Sequence, residues 1–422
     1  MKKLLTTLLI VLFLAPCASA IVEEQKISLQ DAIELALKTN PQVKAVKINS
    51  EIAKNEIKSA VRLQNPSIGT FQNMGKTRYG NPQEVGAQYN IELFKRHKRK
   101  KLASSNYIAS LSSQKISQYD LILDVKKAYI DFLLKKTNLK IIKEEQDLAR
   151  ELYQTSLKSK ISEPDLIEAK IALNRSIMRT NTAKTQVIFA QNHFNTIMNT
   201  SDINYDTKEE GLNDDYNSLL AINPENNNLN FEQIKEYALN NRADILKAKQ
   251  LQESAQHNLS VVKSQLIPNL EVEAGWGYET GSTSDTGKFN SGAYLGAMLT
   301  DIPLIYRYKP EIKNAKLEIE KAQLNYEDTK IDAIRNITDA WEKYTIARDN
   351  LIFYNQELLK DSKSLLEASK KILKDNKSDV TSYLVAKKLY LELILGYQEA
   401  LADYYISYYE LLKELNMPET FI

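Results

Sequence analysis

The most constraining stretch of this sequence is Leu266-Ile267-Pro268-Asn269-Leu270-Glu271-Val272-Glu273-Ala274-Gly275-Trp276-Gly277-Tyr278. It begins as the last turn of a polar helix. Pro268 stops that helix, because proline has no N–H to donate and biases the residue before it away from helical backbone. Beyond it, Leu270, Val272, Ala274, Trp276 and Tyr278 alternate with Asn269, Glu271, Glu273, Gly275 and Gly277. A two-residue period marks a strand with one apolar and one polar face. About ten residues is the length at which a tilted strand crosses a bilayer. The flanking sequence has helical periodicity, so the fold has to combine long helices with membrane-type hairpins.

Composition narrows this further. Only 12 Gly and 10 Pro in 422 residues leave little room for an all-β fold and permit long uninterrupted helices. A net charge of +2 is not the polycation that nucleic acid selects, so no nucleic-acid partner is expected. No apolar run of transmembrane-helix length follows the N-terminus. Lys2 and Lys3, the apolar residues 4–14 and Ala18-Ser19-Ala20 read as a secretory signal over residues 1–20. The one cysteine, Cys17, lies inside it. Cleavage after Ala20 leaves an exported chain without a thiol, which excludes disulfides and cysteine metal sites. Leu14-Ala15-Pro16-Cys17 loosely resembles a bacterial lipoprotein box, the alternative being lipidation at Cys17.

The chain is two copies of one unit. Leu29-Gln30-Asp31-Ala32-Ile33-Glu34-Leu35-Ala36-Leu37 aligns with Phe231-Glu232-Gln233-Ile234-Lys235-Glu236-Tyr237-Ala238-Leu239 at an offset of 202 residues. The same offset brings Pro41-Gln42-Val43 onto Ala243-Asp244-Ile245, and Asn65-Pro66-Ser67-Ile68 onto Ile267-Pro268-Asn269-Leu270. Self-similarity of this kind is read before any local motif. Each copy opens with a capping-box pattern, Ser28 with Asp31 and Asn230 with Gln233. A second helix follows, then a hairpin with a polar, glycine-rich tip at 75–82 and at 280–290. The return strand of the first copy alternates cleanly at Val85, Ala87, Tyr89, Ile91 and Leu93. From 98 to 160 there is neither proline nor glycine. Roughly 60 helical residues span about 90 Å. Breaker-rich turns at 162–165 and 375–379 end the two long helices, and a shorter helix follows each.

The expected organisation is a signal peptide at 1–20, helices at 21–65, a hairpin at 66–94 and a long helical hairpin at 95–200. A linker at 201–228, rich in Asn, Asp and Glu, is expected to carry little fold of its own. The second copy repeats helices at 229–267, a hairpin at 268–304 and a helical hairpin at 305–417, with a tail at 418–422. The fold class is mainly α with a small β part. One chain supplies four membrane strands, too few to close a barrel, and open edges are not tolerated in lipid. Three copies would supply twelve, enough for a passage, which implies a hollow conduit.

These residues resemble the TolC-like outer-membrane efflux proteins over nearly the whole mature chain. The resemblance rests on the repeat, on the junctions Asn65-Pro66 and Ile267-Pro268, and on Asn40-Pro41-Gln42-Val43 with its copy Arg242-Ala243-Asp244-Ile245. It implies a homotrimer, a long α-helical barrel below a 12-stranded β-barrel, and residence in the outer membrane of a Gram-negative bacterium, reaching into the periplasm. It also implies service to an inner-membrane pump through a periplasmic adaptor. Glu92-Leu93-Phe94-Lys95-Arg96 and Ile302-Pro303-Leu304-Ile305-Tyr306-Arg307 look most like the branch serving heavy-metal efflux pumps. Tyr308-Lys309-Pro310 departs from that branch, where an Asn-Gln-Gly-like turn is usual.

No catalytic site and no cofactor are expected. His97, His193 and His257 lie in separate helices without metal-ligand spacing, and there is no phosphate loop or nucleophile elbow. Residues expected to face lipid are Tyr89, Ile91, Leu93, Leu270, Val272, Trp276 and Tyr278. Lys95, Arg96, Lys98, Arg99, Lys100 and Lys101, with Tyr306 and Arg307 in the second copy, are placed at the membrane interface, against lipid head groups. The simpler reading of the basic run is a solvated helix start. By the resemblance, Asp165 and Glu168 ring the periplasmic entrance; the alternative is acidic capping of a helix start. Tyr404, Tyr405, Tyr408 and Tyr409 read as packing anchors. The rival functions are a type I protein-secretion duct and a non-pore coiled-coil envelope protein.

Overall fold

A computed structural model describes residues 24–72, 81–158, 162–199, 204–212, 231–280, 291–375 and 380–416. The signal at 1–20 with Cys17, residues 75–80 and 281–290 of the expected hairpin tips, the cap residue Asn230 and the tail at 418–422 lie outside them; residues 81, 82 and 280 of those tips belong to strands instead. The first copy runs β1 (Glu24–Ile27), α1 (Leu29–Thr39), α2 (Pro41–Ala60), β2 (Ser67–Gln72), β3 (Asn81–Ile91), α3 (Lys95–Lys158) and α4 (Glu163–Ile197). β4 (Asn204–Thr207) precedes the second copy: α5 (Phe231–Asn241), α6 (Ala243–Ser264), β5 (Asn269–Thr280), β6 (Ser291–Thr300) and α7 (Lys309–Phe353). A π-helical turn at Tyr354–Leu358 then leads into α8 (Leu359–Asp375) and α9 (Val380–Leu415).

Local chemistry accounts for the element ends. The Asp31 N–H donates to Ser28 Oγ at 3.2 Å, and the Ser28 hydroxyl donates back to Asp31 Oδ2 at 2.6 Å. This cap contributes about 1 kcal/mol. The α1–α2 and α5–α6 junctions are built alike: Asn40 and Arg242 both take extended backbone, and each N–H closes the preceding helix, on Ala36 O at 2.8 Å and Ala238 O at 2.9 Å. The last helix of each copy is followed by a left-handed asparagine, Asn199 at φ 53° and Asn416 at φ 52°, the residue type that tolerates this backbone after glycine.

Two compact units arise by segment exchange along the chain. The first comprises Met1–Pro41, Asp120–Ile222 and Trp341–Leu411; the second comprises Gln42–Tyr119, Asn223–Ala340 and Leu412–Ile422. In the first, Ile141, Ile142 and Leu148 of α3 pack with Ala183 of α4 and with Leu384, Leu391 and Leu395 of α9. Tyr344, Tyr404 and Tyr408 stack nearby with ring centroids 5.7 to 6.5 Å apart, the packing role expected of the tyrosine-rich stretch. Burial of Tyr404 and Tyr408 pushes their hydroxyl pKa values up. Gly396 admits the Tyr354 ring of the π-helical turn: a Cβ there would lie 2.7 Å from the Tyr354 hydroxyl.

The linker differs from expectation. Residues 204–207 form β4, which pairs in parallel with β1. The pair is fastened to the helices of its unit: Lys136 Nζ lies 2.6 Å from Asp206 Oδ1, and Asn195 Oδ1 accepts from the Tyr205 N–H at 3.1 Å. Residues 213–228 of the linker lie outside the described residues.

Candidate functional site

In the second unit the hairpins of the two copies join into one antiparallel sheet of order β2-β3-β5-β6. The register aligns the alternation of all its long strands. Tyr89 faces Val272, which faces Ala297; Ile91 faces Leu270, which faces Leu299; Val85 faces Trp276, which faces Ala293. One face therefore carries these residues with Ala87, Ala274, Leu295 and Tyr278. The other carries Gln88, Asn90, Glu271, Glu273 and five glycines of β3, β5 and β6, with Met298 as an apolar exception. A one-residue slip would mix the faces, so the pattern specifies the register. Leu93, expected in the strand, falls instead in the turn after Ile91, where β3 ends.

The exposure of this sheet is inverted relative to a water-soluble one. Trp276 is 52% exposed and Leu295 79%, while Gly86 on the polar face is buried and Glu271 and Glu273 are partly covered. Two glycines make the polar face compact. A Cβ on Gly275 would meet the Gly86 Cα at 2.7 Å and the Tyr294 hydroxyl at 2.6 Å. The Tyr294 side chain fills the space over both, and its hydroxyl donates to Glu273 Oε1 at 3.2 Å. The edges of the sheet, β2 and β6, have no further strand among the described residues.

The basic run at the exit of the first hairpin divides by helical position. Arg96 donates through Nε to Val61 O at 3.0 Å, and Arg99 through Nε to Ala60 O at 3.3 Å. These are the carbonyls that the end of α2 leaves unpaired. Arg99 also binds Glu92 through both terminal nitrogens; this hydrogen bond holds the Arg99 pKa above its usual value. Lys95 is buried, and burial lowers its pKa. Lys95 therefore does not reach a head group, and Arg99 is spent largely inside the protein. Lys98 is half-buried, and Lys100 and Lys101 are exposed along with the remainder of Arg96. In the second copy Tyr306 is exposed and bonded to Glu311, with Arg307 exposed beside it.

At the other end of the first long helical hairpin, Ser162 caps α4. The Asp165 N–H donates to its Oγ at 3.4 Å and its hydroxyl donates to Asp165 Oδ2 at 2.6 Å. Asp165 thus serves the cap and stays exposed; Glu168 is exposed one turn further along the helix. Among the described residues no group of three or more His, Cys, Asp or Glu is placed to hold a metal, and no helix is long and apolar enough to cross a membrane.

Two helices of the second unit carry apolar residues outward. On α7, Leu317, Leu324 and Ile331 are exposed at seven-residue spacing, and on α2 Ile48 and Ile52 are exposed four apart. The seven-residue repeat is that of a seam meeting another helix. The inward side of α7 is separate, with Ala315, Ala333 and Ile337 buried.

A family model described as "Outer membrane efflux protein" matches residues 235–406. No curated relative matches the chain by sequence. Solved structures share its fold. The Campylobacter jejuni CmeC outer membrane channel superimposes with a TM-score of 0.68 at 18% identity, covering 94% of this chain and 90% of that one. The open state of the Neisseria gonorrhoeae MtrE outer membrane channel gives 0.69 at 18%, covering 92% and 89%. The outer membrane protein VceC from Vibrio cholerae gives 0.70 at 15%, covering 92% and 96%.

Proposed function

We propose that the chain, whose residues 235–406 match the outer membrane efflux protein model, is a channel of that family and the passive exit duct of a tripartite efflux system. The inverted sheet carries this reading. An exposed face of Trp, Leu, Val and Ala opposite a compact polar face suits lipid outside and water inside. The two open edges require partners, and three copies would complete a barrel of twelve strands. The outward seam of Leu317, Leu324 and Ile331 supports the same closure among the helices. An inner-membrane pump and a periplasmic adaptor complete the system. Its cargo is metal cations or drugs. Phospholipid head groups are the partner of Arg96, Lys98, Lys100, Lys101 and Arg307.

Purified protein in planar bilayers is expected to conduct in steps of uniform size. Absence of conductance, with no insertion into the outer membrane, would defeat the duct. Asp165 and Glu168 are assigned to the periplasmic entrance, where threefold symmetry would gather their carboxylates and draw cations. The pair Asp165→Asn and Glu168→Gln is expected to lower the cation-over-anion permeability ratio severalfold. An unaltered ratio with intact conductance leaves Asp165 as a helix cap alone.

A further inference from the structure

The segment between β6 and α7 is Asp301-Ile302-Pro303-Leu304-Ile305-Tyr306-Arg307-Tyr308. It is held in a definite shape. The Leu304 N–H donates to Ile302 O at 2.8 Å, a γ-turn around Pro303. Asn269 Nδ2 donates to Asp301 Oδ2 at 2.8 Å, tying the segment to the start of β5. Tyr306 meets Tyr308 edge-on with ring centroids 5.2 Å apart, and its hydroxyl donates to Glu311 Oε1 at 2.5 Å. Asp301 and Tyr308 adopt left-handed backbone at φ 54° and 49°.

This ordered segment presents apolar side chains to the outside. Ile305 is 100% exposed and Leu304 73%, with Ile302 and Tyr306 also exposed. The exit of the other hairpin does the same: Phe94 is 76% exposed and sits at φ 62°, a backbone conformation that costs energy for a bulky residue. The two exits leave the sheet at one level, because Ile91 pairs with Leu270 and Leu270 with Leu299. Strained and hydrogen-bonded backbone that keeps large apolar side chains out of the protein at both exits marks a contact surface.

We propose that Phe94 and residues 302–306 form an apolar wedge that seats in the phospholipid leaflet on the helix side of the sheet. The inference rests on the membrane reading of the sheet and adds an anchoring site to it. Two observations select lipid as the occupant. The wedge follows directly in the chain on β3 and β6, whose apolar face ends at Ile91 and Leu299. Basic residues then follow at both exits, Arg96, Lys98, Lys100 and Lys101 after Phe94, and Arg307 and Lys309 after Tyr306, the sign that suits phosphate head groups.

The single cysteine of the sequence makes spin labelling direct. In a Cys17→Ser background, Ile305→Cys carries the probe, with Leu295→Cys and Lys100→Cys as references. The full-length protein is placed in vesicles of phosphatidylethanolamine and phosphatidylglycerol, and collisions with oxygen and with a water-soluble nickel chelate are measured. The label at Ile305 is expected to match Leu295, with an oxygen-to-nickel ratio severalfold above that at Lys100. Nickel-dominated relaxation at Ile305 with oxygen-dominated relaxation at Leu295 overturns the wedge alone. Low accessibility to both reagents at Ile305 also overturns it, since the surface is then covered by protein. Nickel-dominated relaxation at Leu295 as well overturns the membrane sheet itself. Should Ile305→Cys not assemble, Leu304→Cys and Phe94→Cys give the same readout.

Discussion

Lysine at position 295 is expected to prevent assembly in the outer membrane. Leu295 lies midway along β6, paired with Ala274, and among the described residues is the most exposed large apolar side chain of the sheet's apolar face after Ile68. A lysine at the midplane of a membrane barrel costs about 2–4 kcal/mol. In the proposed trimer three copies carry the change together, so the penalty reaches roughly 6–12 kcal/mol, comparable with the whole stability of an ordinary domain. Gln88→Lys is the matched control. Gln88 lies on the polar face opposite Glu273, where a cation across the strand pair is favourable. Heat-modifiable trimer in outer-membrane fractions is the measurement. Loss with Leu295→Lys and retention with Gln88→Lys are expected. Equal recovery of the two variants would contradict the assignment of the faces.

That assignment was open to sequence reading because it depends on period alone. Alternation from Leu270 to Tyr278 and from Val85 to Ile91 survives any rotation of the sheet, and Pro66 and Pro268 mark where it begins. Other features lacked such a signal. β1 and β4 are four residues each, and residues 204–207 sit in an Asn- and Asp-rich segment, so no period can emerge. Their order comes from side chains distant in sequence, such as Lys136 on Asp206. The π-helical turn at Tyr354–Leu358 has no proline or glycine within it; its counterpart is Gly396 on another helix. The basic run misled in a different way. Charge density reads as one patch, but a helix turns successive residues about 100° apart. Lys95 is thereby buried and Arg96 and Arg99 are directed at the end of α2, while Lys100 and Lys101 remain outside. The compact Gly86–Gly275–Tyr294 arrangement was legible only as glycines on the polar face, because the tyrosine that covers them sits on the neighbouring strand.

The repeat itself locates a second residue with a large expected effect. Arg242 stands where the first copy has Asn40, and the two junctions are held to the ends of their copies' last helices by different chemistry. In the first copy the Thr39 hydroxyl donates to Met198 O at 2.7 Å. In the second, Arg242 donates to Glu414 O at 3.0 Å, pairs with the Glu414 carboxylate, and holds Asp244 Oδ2 at 2.7 Å. The Arg242 side chain is only 10% exposed. Burial, the largest single influence, would raise the Asp244 pKa; the hydrogen bond to Arg242, its charge and backbone N–H donors together outweigh burial and leave the pKa below the usual value.

Arg242→Met removes the cation and leaves two partly covered carboxylates without it. The expected loss is about 3 kcal/mol, the low end of the range for breaking a buried pair, because Asp244 keeps some water. Arg242→Lys is expected to recover only part, since an ammonium cannot engage both carboxylates in a fork. Adding Glu414→Gln to Arg242→Met is expected to restore roughly 1 kcal/mol by removing one unpaired charge. The pH dependence has a definite sign. A folded-state pKa below the unfolded value of about 3.9 gives stability that is present above that value and lost as pH falls through the folded pKa. Thermal unfolding of the wild type is therefore expected to hold between neutrality and about pH 5, then to fall through the acidic range. The Arg242→Met protein is expected to start lower and to fall less, because the interaction that depressed Asp244 is gone. Parallel curves for the two proteins would show that Arg242 does not set the ionisation of Asp244.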